Sequence, residues 1–499
     1  MCTTKTQSVS KWEWWSIGFG LLLGFCLRLL NLWIASDLPF FRHHRLDAQV
    51  YHEAGLRFAR GDWWMGSDVL HMSPLYSYIV GLFYSIGGPS PWGLAIFQML
   101  LGTALIALTW DIARRCFGAW WGLTAGWLVA CYGPLIFYES HLLAVTIGAF
   151  LWTLLLWLGV QLCFDIHTKQ EPQHFQRRSW LALGIVWGLC ILLRPNALLL
   201  GPVLLFLCVA IYRRQAWQPF LWLTLYTSLL ILPVTLRNRL IAGEWILVTD
   251  SGGLNFYIGN GLGATGTFRA PAGLEAAKHP AKQFVIFRRV AEAVSQKSLT
   301  SKQVDAFWFT RTWREIRKDW GRWLRLIRDK CWLFWGAAEL SNNQDYTFTR
   351  QINPLLGAPL IQFGWIAPFA LWGLIWISFN SLLALYRRQS MTPETLAQTW
   401  IAMASWVLFA AVVCFFVLAR YRLTGITGLI ILSIGGIRQL CQWLQQSNVS
   451  RTSVVLTLIA LSYPWIYTTW LERSIATEYF KLGFAYHIQR RPDKAEESY

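Results

Sequence analysis

The stretch RLDAQVYHEAG, residues 45–55, places several ionisable side chains directly after an apolar run. Tyr51 follows Asp47 by four residues, so the two would share one face of a helix. A carboxylate just outside a bilayer can remain ionised, and a low local dielectric raises its pKa towards the value that suits a general base. Asp47 is therefore the first candidate for proton-abstracting chemistry, with Tyr51 as a neighbouring candidate for substrate binding.

Spacing disfavours two other kinds of chemistry in this stretch. Glu53 is six residues from Asp47, which is about 240° around a helix, so the pair would not form the carboxylate dyad of a glycoside hydrolase. His44, Asp47 and His52 do not follow a recognised metal-ligand pattern. An ordinary capping role for Asp47 stays open on spacing alone.

Further polar side chains interrupt apolar sequence. Arg28 lies inside the first apolar run and Arg194 lies in LLRPNALLL, where a charge is costly and usually faces a cavity or a partner. For Arg194, near the end of a run, a side chain that snorkels to the interface is the alternative. Glu139 and His141 interrupt IFYESHLLAV between two apolar runs, so they are candidates for the same site as Asp47.

The segment ARYRLTG, residues 419–425, places Arg420 and Arg422 at a predicted membrane boundary. Guanidinium groups bind phosphate bidentately, so two arginines that flank a tyrosine suit an anionic lipid headgroup. A pair of charges that only sets the topology is the alternative interpretation.

The elements that must position these residues are apolar helices. The chain has 499 residues, of which 55% are hydrophobic and 14% charged, whereas soluble chains carry about 25% charged residues. Apolar runs of about 18 or more residues recur along most of the length, which predicts an all-α polytopic integral membrane protein. The predicted spans are 14–35, 92–113, 119–138, 142–164, 179–197, 198–212, 217–236, 358–386, 398–419, 423–443 and 453–471.

The formal charge of +18 does not indicate a nucleic-acid partner. The basic residues are concentrated in short loops and beside apolar runs, as the positive-inside rule and contact with anionic membrane lipids explain. Those assigned to the cytoplasm are Arg114, Arg115, the loop 165–178 with Lys169, Arg177 and Arg178, Arg213, Arg214, Arg387, Arg388 and the stretch from Arg438 to Arg451.

The remaining loops then face the other side of the membrane. They include a first external loop, 36–73, and a large later loop, 237–357. This arrangement is consistent only if the apolar segment 74–88 makes no net crossing. That segment is short enough to be a short helix, a re-entrant piece or an interfacial piece.

Two parts of the large loop have distinct compositions. Residues 251–268, SGGLNFYIGNGLGATGTF, are rich in glycine and asparagine, which predicts a turn-forming loop and no helix. Residues 310–330 carry tryptophan and aliphatic side chains at helical spacing with arginine and lysine on the other face, which predicts one helix in the headgroup layer.

The tail, residues 472–499, differs in composition from the membrane region, 1–471. Leu482, Gly483, Tyr486, Ala495 and Tyr499 fall at the offsets of a tetratricopeptide repeat, and a single such repeat cannot bury its own face. The tail is therefore predicted to begin a repeat array that continues in a longer parent and offers a surface to a protein partner. An ordinary amphipathic tail is the alternative.

The order of motifs resembles a GT-C glycosyltransferase of the protein O-mannosyltransferase and aminoarabinose transferase type. The resemblance covers about residues 15–445, implies about 11–13 transmembrane helices, and extends to bacterial members whose GGLNFYIGN loop precedes tetratricopeptide repeats. After the acidic residue in RLDAQVYHEAG come SPLYSYIVGLFYSIGG, DIARRCFGAWWGLTAGWLVACYGPLIFYESHLL, GIVWGLCILLRPNALLLGP, LRNRLIAGEWILVTDSGGLNFYIGN, APFALWGLI and ARYRLTG.

The resemblance implies transfer of one sugar, with inversion, from a polyprenyl-phosphate carrier to a hydroxyl of a protein, lipid or glycan acceptor. The reaction would take place on the extracytoplasmic face of a bacterial inner membrane. Asp47 would be the general base, and Arg420 with Arg422 would stabilise the departing phosphate. The remaining candidates for contact with the sugar or the acceptor are Tyr51, Glu139, His141, Asn255, Tyr257 and Asn260.

Two departures from the family pattern matter. The segment RYRLTGITG lacks the proline of many relatives, which loosens the turn, and Asp47 is followed by Ala48 where protein mannosyltransferases often have an Asp-Glu pair. We expect no cofactor, and the lack of a DxD motif argues against a divalent metal without deciding the question. A transporter or flippase of lipid-linked sugars is the alternative function, although it would favour internal repeats that are not visible here. A membrane scaffold that displays a repeat domain is a third.

Overall fold

Helices account for nearly all regular secondary structure in the computed structural model, which describes residues 9–168, 177–271, 280–468 and 475–498. Most of the basic loop 165–178, the boundary between 471 and 472, and Tyr499 lie outside the described residues. The helices of the first half are α1 (Lys11–Asp37), α2 (Asp47–Ala59), α3 (Pro74–Gly87), α4 (Pro91–Phe117), α5 (Ala119–Ala130), α6 (Gly133–Glu139), α7 (Val145–Thr168), α8 (Arg177–Leu193), α9 (Gly201–Tyr212) and α10 (Trp217–Ala242).

The second half contains the large loop and the last spans. Its helices are α11 (Gly252–Asn260), α12 (Pro280–Ser295), α13 (Ser301–Lys318), α14 (Trp320–Trp335), α15 (Tyr346–Ile352), α16 (Pro354–Gly357), α17 (Phe363–Tyr386), α18 (Pro393–Cys414), α19 (Ala419–Arg422), α20 (Ile426–Gln445), α21 (Val449–Tyr467), α22 (Ile475–Ile488) and α23 (Pro492–Ser498). The all-α fold class is thus confirmed for the described part of the chain.

Nine stretches among the described residues are helical, long and apolar enough to cross a membrane. The prediction of a polytopic membrane protein is therefore confirmed, and a shorter apolar helix, Arg178–Leu193, accompanies them. The nine are Lys11–Asp37, Pro91–Phe117, Val145–Asp165, Pro195–Gln215, Trp217–Ala242, Phe363–Tyr386, Pro393–Cys414, Ala419–Gln445 and Val449–Tyr467.

Helices α1 and α4 run antiparallel, and this fixes the direction of the chain at both ends of the bundle. Glu13, at the start of α1, pairs with Arg114, at the end of α4, at 2.7 Å. Just beyond the other end of α1, the rings of Phe41 and Trp92 pack with centroids 5.2 Å apart. The chain thus leaves α1 and enters α4 at the same end of the bundle.

The segment between α1 and α4, which contains α3, consequently makes no net crossing of the membrane. The predicted distribution of positive charge required this of segment 74–88. Helix α3 packs along α2, and the two helices approach closely at glycines. A side chain on Gly55 would collide with Val80, and one on Gly81 would collide with Phe58. Both helices lie between the end of α1 and the start of α4.

The predicted span 119–138 is divided in the structure. Helix α5 ends at Ala130, and α6 begins after a short irregular piece in which Tyr132 forms an isolated parallel bridge with Ile361. Because the bridge takes backbone groups of this piece away from the helical pattern, the apolar run does not continue as one helix.

The interpretation of 251–268 as a loop without helix is wrong, because Gly252–Asn260 forms α11. Two glycines allow this helix to pack against its neighbours at very short range. A side chain on Gly253 would collide with the backbone of Asp305, and one on Gly259 with the backbone of Phe415. Tertiary packing here outweighs the low helix propensity of glycine.

The expectation of one helix over 310–330 is also corrected. Helix α13 ends at Lys318, and Asp319 caps the start of α14 by accepting a hydrogen bond from the Arg322 amide at 2.8 Å. Aspartate is a strong N-cap residue, so it starts a new helix inside the periodic pattern. Trp320 and Leu324 remain exposed on α14, as a headgroup-layer helix requires.

The tail forms a helical pair, α22 and α23. Leu482, Tyr486 and Ala495 are buried together against Phe348 of α15. The apolar positions that suggested a tetratricopeptide repeat therefore face the membrane domain and each other, while the assignment to that repeat stays a prediction.

Candidate active site

A cavity of ≈ 290 Å³ opens at the end of the bundle where α1 and α18 end and α7 begins. Segments from all parts of the chain contribute to its wall. The polar and charged residues that line it are Asp47, Tyr51, His71, Ser73, Arg194, Asn196, Thr249, Ser251, Asn255, Gln283, Asn342, Arg420 and Tyr421. Aromatic and aliphatic side chains complete the wall, among them Phe268, Phe284, Phe415 and Phe416.

Asp47 and Arg420 form a largely buried ion pair in this cavity, through Asp47 Oδ2 and Arg420 Nη1, and the Arg420 side chain is 12% exposed. Asp47 is the first residue of α2 and is only 5% exposed. A carboxylate is favoured there because the first turn of a helix carries partial positive charge. Arg420 belongs to the short helix α19, 373 positions further along the chain.

Tyr51 lies one turn after Asp47 and also lines the cavity, as its helical spacing predicted. Its ring packs edge-on against Tyr76, with centroids 4.7 Å apart. Burial, reinforced by the Asp47 carboxylate, raises the pKa of the Tyr51 phenol above its usual range. The phenol therefore keeps its proton and can donate a hydrogen bond to a bound ligand.

A second arginine meets Arg420 across an aromatic ring. The guanidinium carbon of Arg194 lies 4.5 Å from the Tyr421 ring centroid, and that of Arg420 lies 5.2 Å from the same centroid. Both arginines line the cavity, and the Nε atom of each is buried without a hydrogen-bond partner. Arg194 thus faces a cavity, which sets aside the snorkelling interpretation.

The large loop supplies the opposite part of the wall. Asn255 of α11 lines the cavity together with Thr249 and Ser251. Next to them, His71 Nδ1 lies 2.7 Å from Asp250 Oδ1, and the His71 ring stacks on Phe284 at 4.0 Å. This pair joins the first external loop to the large loop at the cavity.

Arg422 does not line the cavity. Its guanidinium forms an ion pair with Glu339 at 2.9 Å, donates hydrogen bonds to the Phe334 and Gly336 carbonyls at 2.8 Å each, and stacks 3.6 Å above Phe363. These contacts fix the chain between α14 and α19. Of the two arginines in RYR, only Arg420 reaches the cavity.

Glu139 and His141 also lie outside this cavity. Glu139 is buried against Arg28, with Arg28 Nε 3.0 Å from Glu139 Oε2, while further Arg28 nitrogens donate to backbone carbonyls of Gly24 and Ala130. His141 bonds to Gln344 and to the Phe137 carbonyl, beside a separate small pocket. The positive charge of Arg28 inside the first apolar run is thus explained by its ion pair with Glu139 within the bundle.

Tyr257 and Asn260 are on α11 but face away from the cavity. Tyr257 packs against Trp308 at 4.6 Å, below the guanidinium of Arg311. Asn260 is fully buried, and its side-chain oxygen accepts hydrogen bonds from Lys330 at 2.8 Å and Trp323 at 3.1 Å. Of the three α11 candidates, only Asn255 lines the cavity.

Sequence reasoning missed His71 and Tyr421 as cavity residues, and it missed Asp250 as the partner of His71. His71 stands in LHMSPLY just before the segment 74–88, and a histidine next to a proline-initiated helix is a weak local signal. Its partner Asp250 is 179 positions away. No group of three or more histidine, cysteine, aspartate or glutamate side chains is arranged to hold a metal ion among the described residues.

The described residues form an all-helical fold with nine candidate membrane spans, and this fold is similar to that of solved GT-C membrane enzymes, which confirms the predicted fold class. Residues 71–236 match the family model described as dolichyl-phosphate-mannose-protein mannosyltransferase. The match covers α3 to most of α10 and includes His71 and Arg194. No curated protein matches the chain.

One archaeal enzyme is represented by several solved structures with a similar fold. The oligosaccharyltransferase of Archaeoglobus fulgidus in the apo form is 15% identical with a TM-score of 0.51, over 99% of this chain and 56% of that chain. The same enzyme tethered to an acceptor peptide that contains the NVT sequon is 16% identical with a TM-score of 0.50, over 98% and 55%. At these identities the likeness concerns the fold.

ArnT from Cupriavidus metallidurans bound to undecaprenyl phosphate is a further match. It is 14% identical with a TM-score of 0.36, over 87% of this chain and 79% of that chain. The present chain spans 56% of the length of the archaeal enzyme.

Proposed function

We propose that this chain is a membrane glycosyltransferase that moves one sugar from a polyprenyl-phosphate carrier to a hydroxyl of an acceptor. The observation that carries the proposal is the buried Asp47–Arg420 pair in a cavity at one end of an apolar bundle. A base beside a cation at a membrane boundary suits a reaction whose leaving group is a lipid phosphate. The fold and the family match over 71–236 support the same class.

In the proposed reaction, Asp47 accepts the proton of the acceptor hydroxyl. The hydroxyl oxygen attacks the anomeric carbon from the side opposite the carrier, and the bond from that carbon to the phosphate oxygen breaks. The electron pair of the broken bond stays on the phosphate, so the products are an inverted glycoside and a free polyprenyl phosphate. Arg420 stabilises the charge that develops on the departing phosphate.

The cavity is proposed to face the extracytoplasmic side of a bacterial inner membrane. Arg114 lies in the last turn of α4, and Arg213 and Arg387 directly follow α9 and α17; since these spans run away from the cavity end, the three basic residues are at the opposite end of the bundle. Positive charge in short loops marks the cytoplasmic side. The donor would then be used after its sugar has reached the outer leaflet.

The acceptor is proposed to be a hydroxyl of a protein, a lipid or a glycan. The part of the wall formed by Ser73, Thr249, Ser251 and Asn255 offers hydroxyl and amide groups, which hydrogen-bond to polar acceptors of any of these classes. No cofactor is part of the proposed reaction, since the phosphate needs only positive charge to leave.

The test is transfer of radiolabelled sugar from polyprenyl-phosphate donors to membrane acceptors by the purified protein. We expect Asp47→Asn to lower kcat on the order of 10²- to 10⁴-fold, because general base catalysis contributes about that factor. Glu53→Gln is the matched control, since Glu53 lies on the same helix but is exposed and accepts a hydrogen bond from Gln49 at the surface. It should keep the activity of the parent.

Full turnover by Asp47→Asn with every donor that the parent uses would overturn the role of Asp47 as base. If the parent instead moves labelled carrier across vesicle membranes and transfers no sugar, the chain is a transporter of lipid-linked sugars. Thermal unfolding of each variant separates loss of catalysis from loss of fold.

A further inference from the structure

Arg194 is a half-buried cation in the cavity, and none of the described carboxylates pairs with it alone. It lies between the end of α8 and a short 3-10 turn at Pro195–Leu200. Its backbone amide donates to the Cys190 carbonyl at 2.7 Å, so the main chain is fixed while the guanidinium extends over Tyr421. Among the described residues, no carboxylate forms an ion pair with Arg194, and its Nε lacks a hydrogen-bond partner.

The charges of the cavity do not balance. Arg194 and Arg420 contribute two positive charges, and Asp47 contributes one negative charge that is already paired with Arg420. A cation that is partly removed from water and has no anionic partner is unfavourable. The unpaired Nε atoms of both arginines are therefore the groups that a bound anion would satisfy, and two guanidinium groups suit the oxygens of one phosphate.

The surroundings of Arg194 also indicate what the anion carries. A small pocket of ≈ 30 Å³ adjoins the cavity and shares Arg194 and Tyr421 with it. Its wall is otherwise mainly apolar, with Trp152, Leu408 and Ala411 among its residues. A phosphate at Arg194 that bears an apolar group would place the first atoms of that group against this wall.

We infer that Arg194 is the second phosphate-binding arginine of the site, and that its ligand is the monoester phosphate of a prenyl chain. Arg194 thus takes the role that the sequence suggested for Arg422. The inference rests on the proposed function for the identity of the carrier. It concerns binding, however, and can be tested without any sugar transfer.

The experiment measures the affinity of the full chain in detergent for farnesyl phosphate, inorganic phosphate and farnesol by thermal shift titration. We expect farnesyl phosphate to raise the unfolding temperature of the parent, with inorganic phosphate far weaker and farnesol without effect. In Arg194→Gln the affinity for farnesyl phosphate should fall about 10- to 100-fold, since a charge-assisted contact is lost. Arg60→Gln, at an exposed arginine on the same end of the bundle, should bind like the parent.

Arg194→Lys keeps the charge but loses the planar fork, so its affinity should lie between those of the parent and Arg194→Gln. This variant also covers the case in which Arg194→Gln does not fold. Equal affinity of the parent, Arg194→Lys and any folded Arg194→Gln for farnesyl phosphate would overturn the inference. So would equal shifts of the parent with farnesol and farnesyl phosphate.

The two proposals fail separately. If the parent binds farnesyl phosphate through Arg194 but transfers no sugar to any acceptor, the phosphate site stands and the proposed reaction does not. If Asp47→Asn abolishes transfer while Arg194 has no effect on the affinity, the reaction stands and the second arginine of the phosphate site must be sought elsewhere.

Discussion

Arg420 and Arg422 are separated by a single residue, yet their guanidinium groups lie in different environments. Arg420 faces the cavity and pairs with Asp47, whereas Arg422 is 1% exposed and is held by Glu339 and two backbone carbonyls. On the short helix α19 neighbouring residues point in different directions, so one reaches the site and the other anchors the segment.

We therefore predict that substitutions at these two positions separate activity from stability. Arg422→Gln should lower the free energy of unfolding by about 3 kcal/mol or more, because it removes a buried cation that pairs with buried Glu339 and bonds to two backbone carbonyls. The folded fraction should keep a normal kcat/KM for the donor. Arg420→Lys should unfold near the parent temperature but lose on the order of 10- to 100-fold in kcat/KM, because the fork geometry is gone.

Thermal unfolding and transfer kinetics on purified protein give both quantities. The separation into roles is wrong if Arg422→Gln unfolds like the parent and loses activity, or if Arg420→Lys retains full activity.

Sequence alone could place Asp47, Tyr51 and Arg420 correctly at the membrane boundary, because each stands next to an apolar run. It could not tell that Glu139 and Asn260 turn away from the cavity. Glu139 is held by Arg28, 111 positions earlier, and Asn260 by Lys330, 70 positions later. Such partners are set by helix packing, which no local pattern reports.

At the scale of elements, α11 shows how a glycine-rich segment becomes a helix. The start of α11 rests against α13, and the Gly253 amide donates a hydrogen bond to the Asp305 carboxylate. A helix start attracts negative charge, so Asp305 satisfies an amide that the helix leaves free. This contact holds Asn255 in the cavity wall.

Asp305 should make the stability of the protein depend on pH. Burial and the nearby Asp250 carboxylate raise the pKa of Asp305 from 3.8 to about 6, against a lowering effect of the Gly253 amide. Between these two values the unfolded chain loses its proton while the folded chain keeps it, so the contribution of Asp305 to stability falls as the pH rises and is lost above about 6.

Asp305→Asn removes this dependence and can still accept the bond from Gly253. The variant should unfold about 1–3 °C above the parent at pH 8, and the difference should shrink towards pH 4. Unfolding temperatures measured across that range provide the check. A difference that grows on acidification would contradict the sign.

Periodicity in the sequence could not predict two features of the large loop. One is the break between α13 and α14, and the other is the helix at 252–260. In the first case the apolar pattern continues through Asp319, and only the N-cap geometry marks the boundary. In the second, Gly253 and Gly259 reduce helix propensity but permit contacts with Asp305 and Phe415 that a larger side chain would prevent.

At the scale of the whole molecule, the antiparallel arrangement of α1 and α4 decides the topology. Because α1 ends and α4 begins at the same end of the bundle, α2 and α3 between them make no net crossing of the membrane. The segment 74–88 therefore does not change the predicted orientation of the spans before it. Apolar runs predicted most of the spans well. The division of 119–138 was not predictable, because it depends on Ile361 in a distant loop.

The two ends of the bundle should differ in sidedness. We predict that a cysteine at position 262 reacts with a membrane-impermeant maleimide on intact cells, and that one at position 386 reacts only after the cells are opened. Leu262 is 71% exposed beside α11 and Tyr386 is 87% exposed at the end of α17, at opposite ends of the bundle. Labelling of both from the same side would contradict the arrangement of spans.

The ion pair between Asp47 and Arg420 has a kinetic consequence under the proposed function. While Arg420 is engaged with Asp47, the guanidinium occupies the carboxylate oxygen Oδ2 that would otherwise receive the hydroxyl of an acceptor. A donor phosphate competes for the same guanidinium and draws it away, which frees the carboxylate oxygen to receive the acceptor hydroxyl. The enzyme would then bind its substrates in a compulsory order, donor before acceptor, and the empty cavity would leave hydroxyl-bearing lipids and proteins unreacted.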